Sequence, residues 1–322
     1  MRGDIYEATF IPQFSGHETF PLRYSWLKKV FDALHKRADD GLNRRVFVDD
    51  DAISKFGVGK NMVGSMRYWS IASRMLVDTS NSHKGPYKTT PLANAIFDDD
   101  TGWDPYIENP ATLWLVHWQL ASNPLPATTI YFAFNHFHTA SFYRQQLTDE
   151  IQRYCDTRGD GFKIAAATLK RDVDCFLRTY AARVSSEEDS LDSLLAELSL
   201  IRPIGKADGF ILARGSKSTL PDGVFIYGLL AFALARGASR VLSVESLLHD
   251  PGSPGRVFLL DEDALLERLG QIDQLSRGKI AWSETAGLRQ IIFHEDPAKI
   301  DALKYVASAY RGRSLASLAL AG

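Results

Sequence analysis

Three residues near the N-terminus, His17, Glu18 and Arg23, are of types that together could cleave a phosphodiester bond. A carboxylate can hold a divalent cation, a histidine can act as a base or a metal ligand, and an arginine can hold a phosphate. On this hypothesis all three are catalytic and Glu18 binds the metal. The structural alternative is that His17 and Glu18 cap the following helix and pair with Arg23. The acidic runs Asp49–Asp51 and Asp98–Asp100 are weaker candidates, since such runs usually face solvent.

A second motif that could do chemistry is Gly57-Val58-Gly59-Lys60, which resembles the end of a phosphate-binding loop. That loop requires the pattern G-x-x-x-x-G-K-[ST]. Ser54 stands where the first glycine is needed, and Asn61 stands where a magnesium-binding hydroxyl is needed. The preceding residues DDDAISKF are typical of a short helix rather than a buried strand. The motif is therefore not a nucleotide-binding loop.

The residues around this motif have the pattern of a helix-turn-helix. A short helix is predicted over about 50–56, and the glycines after it suit a sharp turn. Apolar residues at steps of three and four then predict a helix over about 60–77: Met62, Met66, Trp69, Ala72 and Leu76. The runs MLVDT and YKTT flank a turn and predict a β-hairpin, followed by a capping helix in TTPLANAIF. Two helices and a hairpin in this order are typical of a winged helix-turn-helix.

The charge of this region favours DNA as its partner. Six basic residues and one acidic residue lie between Ile53 and Thr90, whereas the whole chain has a net charge of −2. A local basic excess of this kind is typical of a DNA-binding surface. The second helix is expected to turn Asn61, Gly64, Ser65 and Tyr68 away from its apolar stripe. The predicted DNA-binding residues are Lys55, Lys60, Asn61, Ser65, Arg67, Lys84 and Lys88. The alternative is a winged helix that contacts protein.

The chain of 322 residues is long enough for two or three domains. We predict a mainly α fold with small β-hairpins, an α+β class. Residues 1–100 would form the winged helix-turn-helix module, 101–202 a helical middle domain, and 203–322 a second winged-helix-like module. The segment GKIAWSETAGLRQIIFHED predicts the hairpin of that last module.

Composition excludes several other classes of protein. No run of about 18 apolar residues predicts a membrane span, and the N-terminus lacks the apolar stretch of a secretory signal. Cys155 and Cys175 belong to no C-x-x-C pair, which favours reduced thiols over a zinc site or a disulfide. We therefore expect a cytoplasmic protein that does not contact membranes.

Four ordered segments resemble a bacterial family of domain-of-unknown-function proteins associated with DNA phosphorothioation, the SspB-like components of Ssp-type systems. They are FSGHETFPLRYSWLKK, FGVGKNMVGSMRYW, GWDPYIENPATLWLVHWQLASNP and EEDSLDSLLAEL. The resemblance covers nearly the whole chain. It implies a DNA-nicking protein that opens one strand in phage defence. The implied partners are double-stranded DNA, a cysteine desulfurase, an ATP pyrophosphatase and an ATPase.

The preferred interpretation is therefore a DNA nickase that uses a divalent cation, Mg²⁺ or Mn²⁺. A second interpretation is a non-catalytic DNA-binding adaptor that recruits the modification enzymes and needs no cofactor. A third is a winged-helix transcriptional regulator, which often binds a palindromic site as a homodimer. A nickase should need both a metal and a carboxylate, whereas an adaptor should bind DNA equally well in a chelator.

Overall fold

The computed structural model describes residues 5–7, 9–35, 43–48, 51–79, 86–159, 161–181, 193–205, 208–285 and 287–310. Lys84, Asp49 and Asp50 lie outside these ranges, so the predictions made for them are not tested. Within the described ranges, helices alternate with eight short strands that form three small antiparallel sheets. The fold is therefore of the α+β class and mainly helical, as predicted.

The N-terminal unit contains the helices and the hairpin that the sequence predicts. Its elements are α1 (Trp26–His35), a 3₁₀ turn (Asn43–Phe47), α2 (Ala52–Phe56), α3 (Lys60–Ala72), β1 (Leu76–Asp78), β2 (Tyr87–Thr89) and α4 (Pro91–Phe97). The β1–β2 hairpin is confirmed, with Val77 opposite Lys88. Gly57 ends α2 in the left-handed region at φ 66°, which a residue without a Cβ adopts easily. Helix α3 ends before residue 77 because Arg74 turns to φ 55° ahead of β1.

The middle unit is not purely helical, which corrects the prediction for residues 101–202. Its elements are α5 (Pro110–Ala121), α6 (Thr128–Asn135), β3 (Ser141–Tyr143), α7 (Arg144–Thr157), α8 (Ala166–Tyr180), β4 (Ile201–Ile204) and β5 (Gly209–Leu212). The strands form one antiparallel sheet in the order β3-β5-β4. The boundary predicted near residue 202 therefore falls inside β4. The strand β3 pairs with β5 across some 70 residues, and no local pattern in the sequence indicates such a pairing.

The C-terminal unit repeats this arrangement. Its elements are α9 (Asp222–Ala235), β6 (Val241–Ser243), α10 (Val244–His249), α11 (Pro254–Val257), α12 (Glu262–Gly270), α13 (Ile272–Ser276), β7 (Ile280–Thr285), β8 (Leu288–Phe293) and α14 (Ala302–Ser308). The predicted hairpin is present as β7 and β8, and the sheet order is β6-β8-β7. In both units the first strand thus pairs with the last strand of a later hairpin.

Helix α5 lies in the core that joins these units. Every residue from Ala111 to Ala121 is buried, including Trp114 and Trp118. His117 bonds through one ring nitrogen to the Tyr180 hydroxyl at 2.9 Å and through the other to a backbone carbonyl at 2.7 Å. Burial lowers the pKa of His117 to about 4. In the part of the chain that the structure describes, no helix is both long and apolar enough to cross a membrane.

Candidate functional site

The loop of residues 15–19 lies between α3 and α8, and a buried aspartate of α8 anchors it. Asp172 Oδ1 accepts hydrogen bonds from the Ser15 backbone N–H and from His17 Nε2, both at 2.6 Å. The Thr19 backbone N–H donates to His17 Nδ1 at 3.0 Å. Because Nδ1 accepts this bond, Nε2 is the ring nitrogen that donates to Asp172. The ring is only 4% exposed and both nitrogens are engaged, so in this geometry His17 positions the 15–19 loop.

The residue that follows the loop forms a second anchor, which joins both helices. The Phe20 carbonyl accepts from Trp69 Nε1 of α3 at 3.0 Å and from the Cys175 thiol of α8 at 3.3 Å. Burial raises the pKa of Cys175, which keeps its sulfur a protonated donor. The Ser65 hydroxyl of α3 also faces this carbonyl, at 3.5 Å. The 15–19 loop is thus held by α3 and α8 at once.

The backbone of the loop is strained. Ser15, Glu18 and Thr19 have φ values of 67°, 48° and 65°, in the left-handed region that costs an L-residue on the order of 1 kcal/mol. Gly16 has φ 90°, and a Cβ added there would lie 2.9 Å from Tyr68 Cδ2. Strained residues of this kind persist only where their surroundings hold them, and they concentrate at functional sites. The conformation therefore favours a functional role for the loop.

The Glu18 side chain lies against α3 at Gly64. A Cβ added at Gly64 would lie 3.6 Å from Glu18 Cγ, an ordinary van der Waals distance. Lys60 and Arg67 lie four residues before and three residues after Gly64, on the same helical face, and both are exposed. The exposed Glu18 side chain thus lies on the basic face of α3.

A cleft of about 240 Å³ opens beside the loop. The loop forms one wall, and Thr168 and Arg171 of α8 form the other. Arg171 is exposed, and its Nε donates to the Ala167 carbonyl at 3.1 Å. Sequence reasoning missed Arg171, Thr168 and the anchor Asp172, because more than 145 residues separate them from the loop and no local spacing links them.

Arg23 does not lie with His17 and Glu18 at the cleft. Its guanidinium lies 5.8 Å from the centre of the Trp26 ring, and its backbone bridges to Ser193. Arg23 is not among the residues that line the cleft. The arginine that lines the cleft together with Glu18 is Arg171. The alternative prediction also differs from the structure, since His17 pairs with Asp172.

The acidic runs have structural partners. Asp98 accepts hydrogen bonds from the Asp100 and Thr101 backbone N–H groups and from the Thr101 hydroxyl, which lower its pKa. Asp99 bonds to Lys28 at 2.5 Å. Asp51 pairs with Lys55, also at 2.5 Å. The described members of these runs therefore shape turns and ion pairs at the surface.

The predicted DNA-binding residues differ in how accessible they are. Those exposed on the N-terminal unit are Lys55, Lys60, Asn61, Arg67 and Lys88. The prediction that Ser65 binds DNA is wrong, because Ser65 is fully buried against the Phe20 carbonyl and out of reach of DNA. Gly64 and Tyr68 face the 15–19 loop rather than solvent, which sequence periodicity could not reveal.

Comparison with known proteins decides the family. The family described as "Protein of unknown function (DUF4007)" matches residues 14–310. The chain belongs to the DUF4007 family. A search of curated proteins found no relative of the chain.

Two solved structures of SspB resemble this DUF4007 chain over almost its whole length. One is a crystal structure of SspB, and the other is a crystal structure of SspB bound to a magnesium ion. Each has a TM-score of 0.80 and 30% sequence identity, and the match covers 94% of this chain and 90% of SspB. The predicted resemblance to an SspB-like family is therefore confirmed.

A magnesium ion would find few protein ligands among the residues of the DUF4007 chain that the structure describes. Among the residues that the structure describes, no three His, Cys, Asp or Glu side chains come together as a metal cage. Mg²⁺ commonly keeps several waters and binds one or two carboxylates together with the phosphates of a substrate. The exposed Glu18 carboxylate beside the cleft fits that kind of shared site. A site made by protein groups alone does not fit the described residues.

Proposed function

We propose that this DUF4007 protein is the DNA-nicking component of an Ssp-type phosphorothioation system. The observation that carries the proposal is the exposed Glu18, held on the basic face of α3 by a strained loop, in a chain that matches SspB over 94% of its length. The nick would open one strand of the duplex. A cysteine desulfurase, an ATP pyrophosphatase and an ATPase would then act at the opened strand in phage defence.

In this proposal the N-terminal unit is a winged helix that binds double-stranded DNA. The order α2, α3 and the β1–β2 hairpin supports it, because winged helices place the second helix on DNA and the hairpin beside it. Lys60 and Arg67 would contact phosphates, and Asn61 would read a base edge. Lys88 on β2 would contact the backbone from the hairpin.

Glu18 would hold the divalent cation against a phosphate of the strand that is cut. A bound Mg²⁺ or Mn²⁺ would neutralise charge on the phosphate and polarise its oxygens. The chain's own contribution is to position the carboxylate, since Asp172 and His17 fix the loop that bears Glu18. The Glu18 side chain packs against α3 at Gly64.

A second candidate function is a non-catalytic DNA-binding adaptor. It is favoured by the finding that the described residues contain no group of three metal-ligating side chains. An adaptor would use the same face of α3 to bind DNA and would recruit the enzymes that cut and modify it.

The two functions are separated by incubating supercoiled plasmid with the purified protein and Mg²⁺ or Mn²⁺, with a chelator in a parallel sample. We expect open circles only in the presence of metal. A normal gel shift without open circles would contradict nicking and support the adaptor. Absence of both nicking and a gel shift would contradict the proposed function altogether.

The DNA-binding face makes a prediction about salt. Lys60→Ala and Lys88→Ala should each reduce the slope of log K against log salt concentration by about one unit, because each removes one phosphate contact. The measurement is a fluorescence-anisotropy titration of a short duplex at several salt concentrations in a chelator.

Lys304→Ala is the matched control, since Lys304 is an exposed lysine of the C-terminal unit, 82% accessible. Its slope should equal that of the wild type. Wild-type slopes for both Lys60→Ala and Lys88→Ala would place the DNA elsewhere on the protein.

A further inference from the structure

The cleft beside the 15–19 loop combines features that suit one small anion. Its volume of about 240 Å³ is below the range of roughly 300–1,000 Å³ that is typical of sites for drug-sized ligands. Its lining residues include Arg171 and three residues with hydroxyl side chains, Ser15, Thr19 and Thr168. Arginine and hydroxyl groups are the side chains that most often hold DNA phosphates.

The carboxylates near the cleft do not prevent an anion from binding there. Asp172 follows Arg171 directly in the chain, but it is 6% exposed and its Oδ1 accepts bonds from the loop. Glu18 also lines the cleft, and an ion shared between its carboxylate and a phosphate would offset the repulsion between them. Arginine has five N–H donors, and the bond to the Ala167 carbonyl uses the one on Arg171 Nε.

Helix α8, like α3, precedes a pair of antiparallel strands. The strands β1 and β2 follow α3, and β4 and β5 follow α8, with a 3₁₀ turn (Leu194–Leu198) between α8 and β4. The 15–19 loop is held between these two helices.

We propose that this cleft binds one phosphate of the DNA backbone through Arg171 and Thr168, so that the duplex contacts α8 as well as α3. This inference rests on the proposed function and adds a second DNA-contacting helix to it. The bound phosphate would lie next to Glu18, and the cleft would thereby place the strand to be cut.

The test compares Arg171→Ala with Lys170→Ala in the full-length protein. Lys170 is the neighbouring exposed basic residue of α8 but does not line the cleft. With a short duplex in a chelator, we expect Arg171→Ala to weaken binding about tenfold and to lower the salt slope by about one unit. Lys170→Ala should leave both quantities near their wild-type values. Thr168→Val, which keeps the shape of the side chain, should weaken binding in the same direction with less effect.

Equal effects of Arg171→Ala and Lys170→Ala would overturn the proposal, because a diffuse basic surface would explain them. Wild-type binding by Arg171→Ala would overturn it as well. Either result, in a wild-type protein that nicks plasmid, leaves the proposed function intact. A wild-type protein that neither binds nor nicks DNA would contradict both the proposed function and the phosphate site in the cleft. Circular dichroism of each variant confirms that the exposed substitutions leave the fold unchanged.

Discussion

A Glu18→Gln protein is expected to bind plasmid DNA at least as well as the wild type. It is expected to nick the plasmid at a rate lower by a factor of about 100 or more. The amide keeps the size of the side chain but loses the charge that holds a divalent cation against phosphate. Removing a negative charge from a surface that faces phosphates does not weaken binding. Open-circle formation over time, with a gel shift in parallel, measures both quantities. Wild-type nicking by Glu18→Gln would move the metal site away from the 15–19 loop.

A pair of substitutions at Gly64 tests the position of Glu18 without changing its chemistry. The 3.6 Å distance leaves room for the methyl group of Gly64→Ala, which should nick normally. The longer side chain of Gly64→Leu would displace Glu18 from α3, and nicking should fall toward the level of Glu18→Gln. Equal activity of the two variants would show that the carboxylate works elsewhere.

Asp172→Ala is expected to lower the free energy of unfolding by about 3 kcal/mol and to reduce nicking. The substitution leaves the Ser15 N–H and the His17 Nε2–H without their shared acceptor in a buried place. It also frees the strained loop to relax, so that Glu18 loses its fixed position. Urea denaturation followed by circular dichroism gives the stability, and the plasmid assay gives the activity.

The matched control is Asp174→Ala on the same helix. Asp174 pairs with Arg144 at 2.5 Å in a half-exposed place, where an ion pair contributes about 1 kcal/mol or less. Asp172→Asn keeps a carbonyl acceptor and should recover most of the lost stability. Equal destabilisation by Asp172→Ala and Asp174→Ala would contradict the role assigned to Asp172.

Local patterns in the sequence were sufficient to predict much of the secondary structure of the N-terminal unit. The steps between Met62 and Ala72 follow one face of a helix, and the runs on either side of a turn near Pro86 pair as β1 and β2. Such features depend on neighbours within a few residues, so the sequence displays them directly. The sequence also indicated His17 and Glu18 as candidate site residues, but it did not indicate the partners of either.

Contacts between distant parts of the chain account for the differences between the predictions and the structure. Periodicity predicts that Ser65 faces away from the apolar stripe, but it does not predict that the 15–19 loop covers that face. The partner of His17 is 155 residues away, and β3 pairs with β5 across some 70 residues. The sequence did not indicate Arg171, because its neighbours in the cleft come from the N-terminus.

The Phe20 carbonyl has a consequence for cooperativity. One backbone oxygen accepts hydrogen bonds from Trp69 of α3 and Cys175 of α8, and the preceding loop is anchored on Asp172. A rotation of α3 relative to α8 would break at least one of these bonds. A ligand on one helix that favoured such a rotation would therefore change the affinity of a ligand on the other, and the effect would be reciprocal. The segment that carries Glu18 would transmit it.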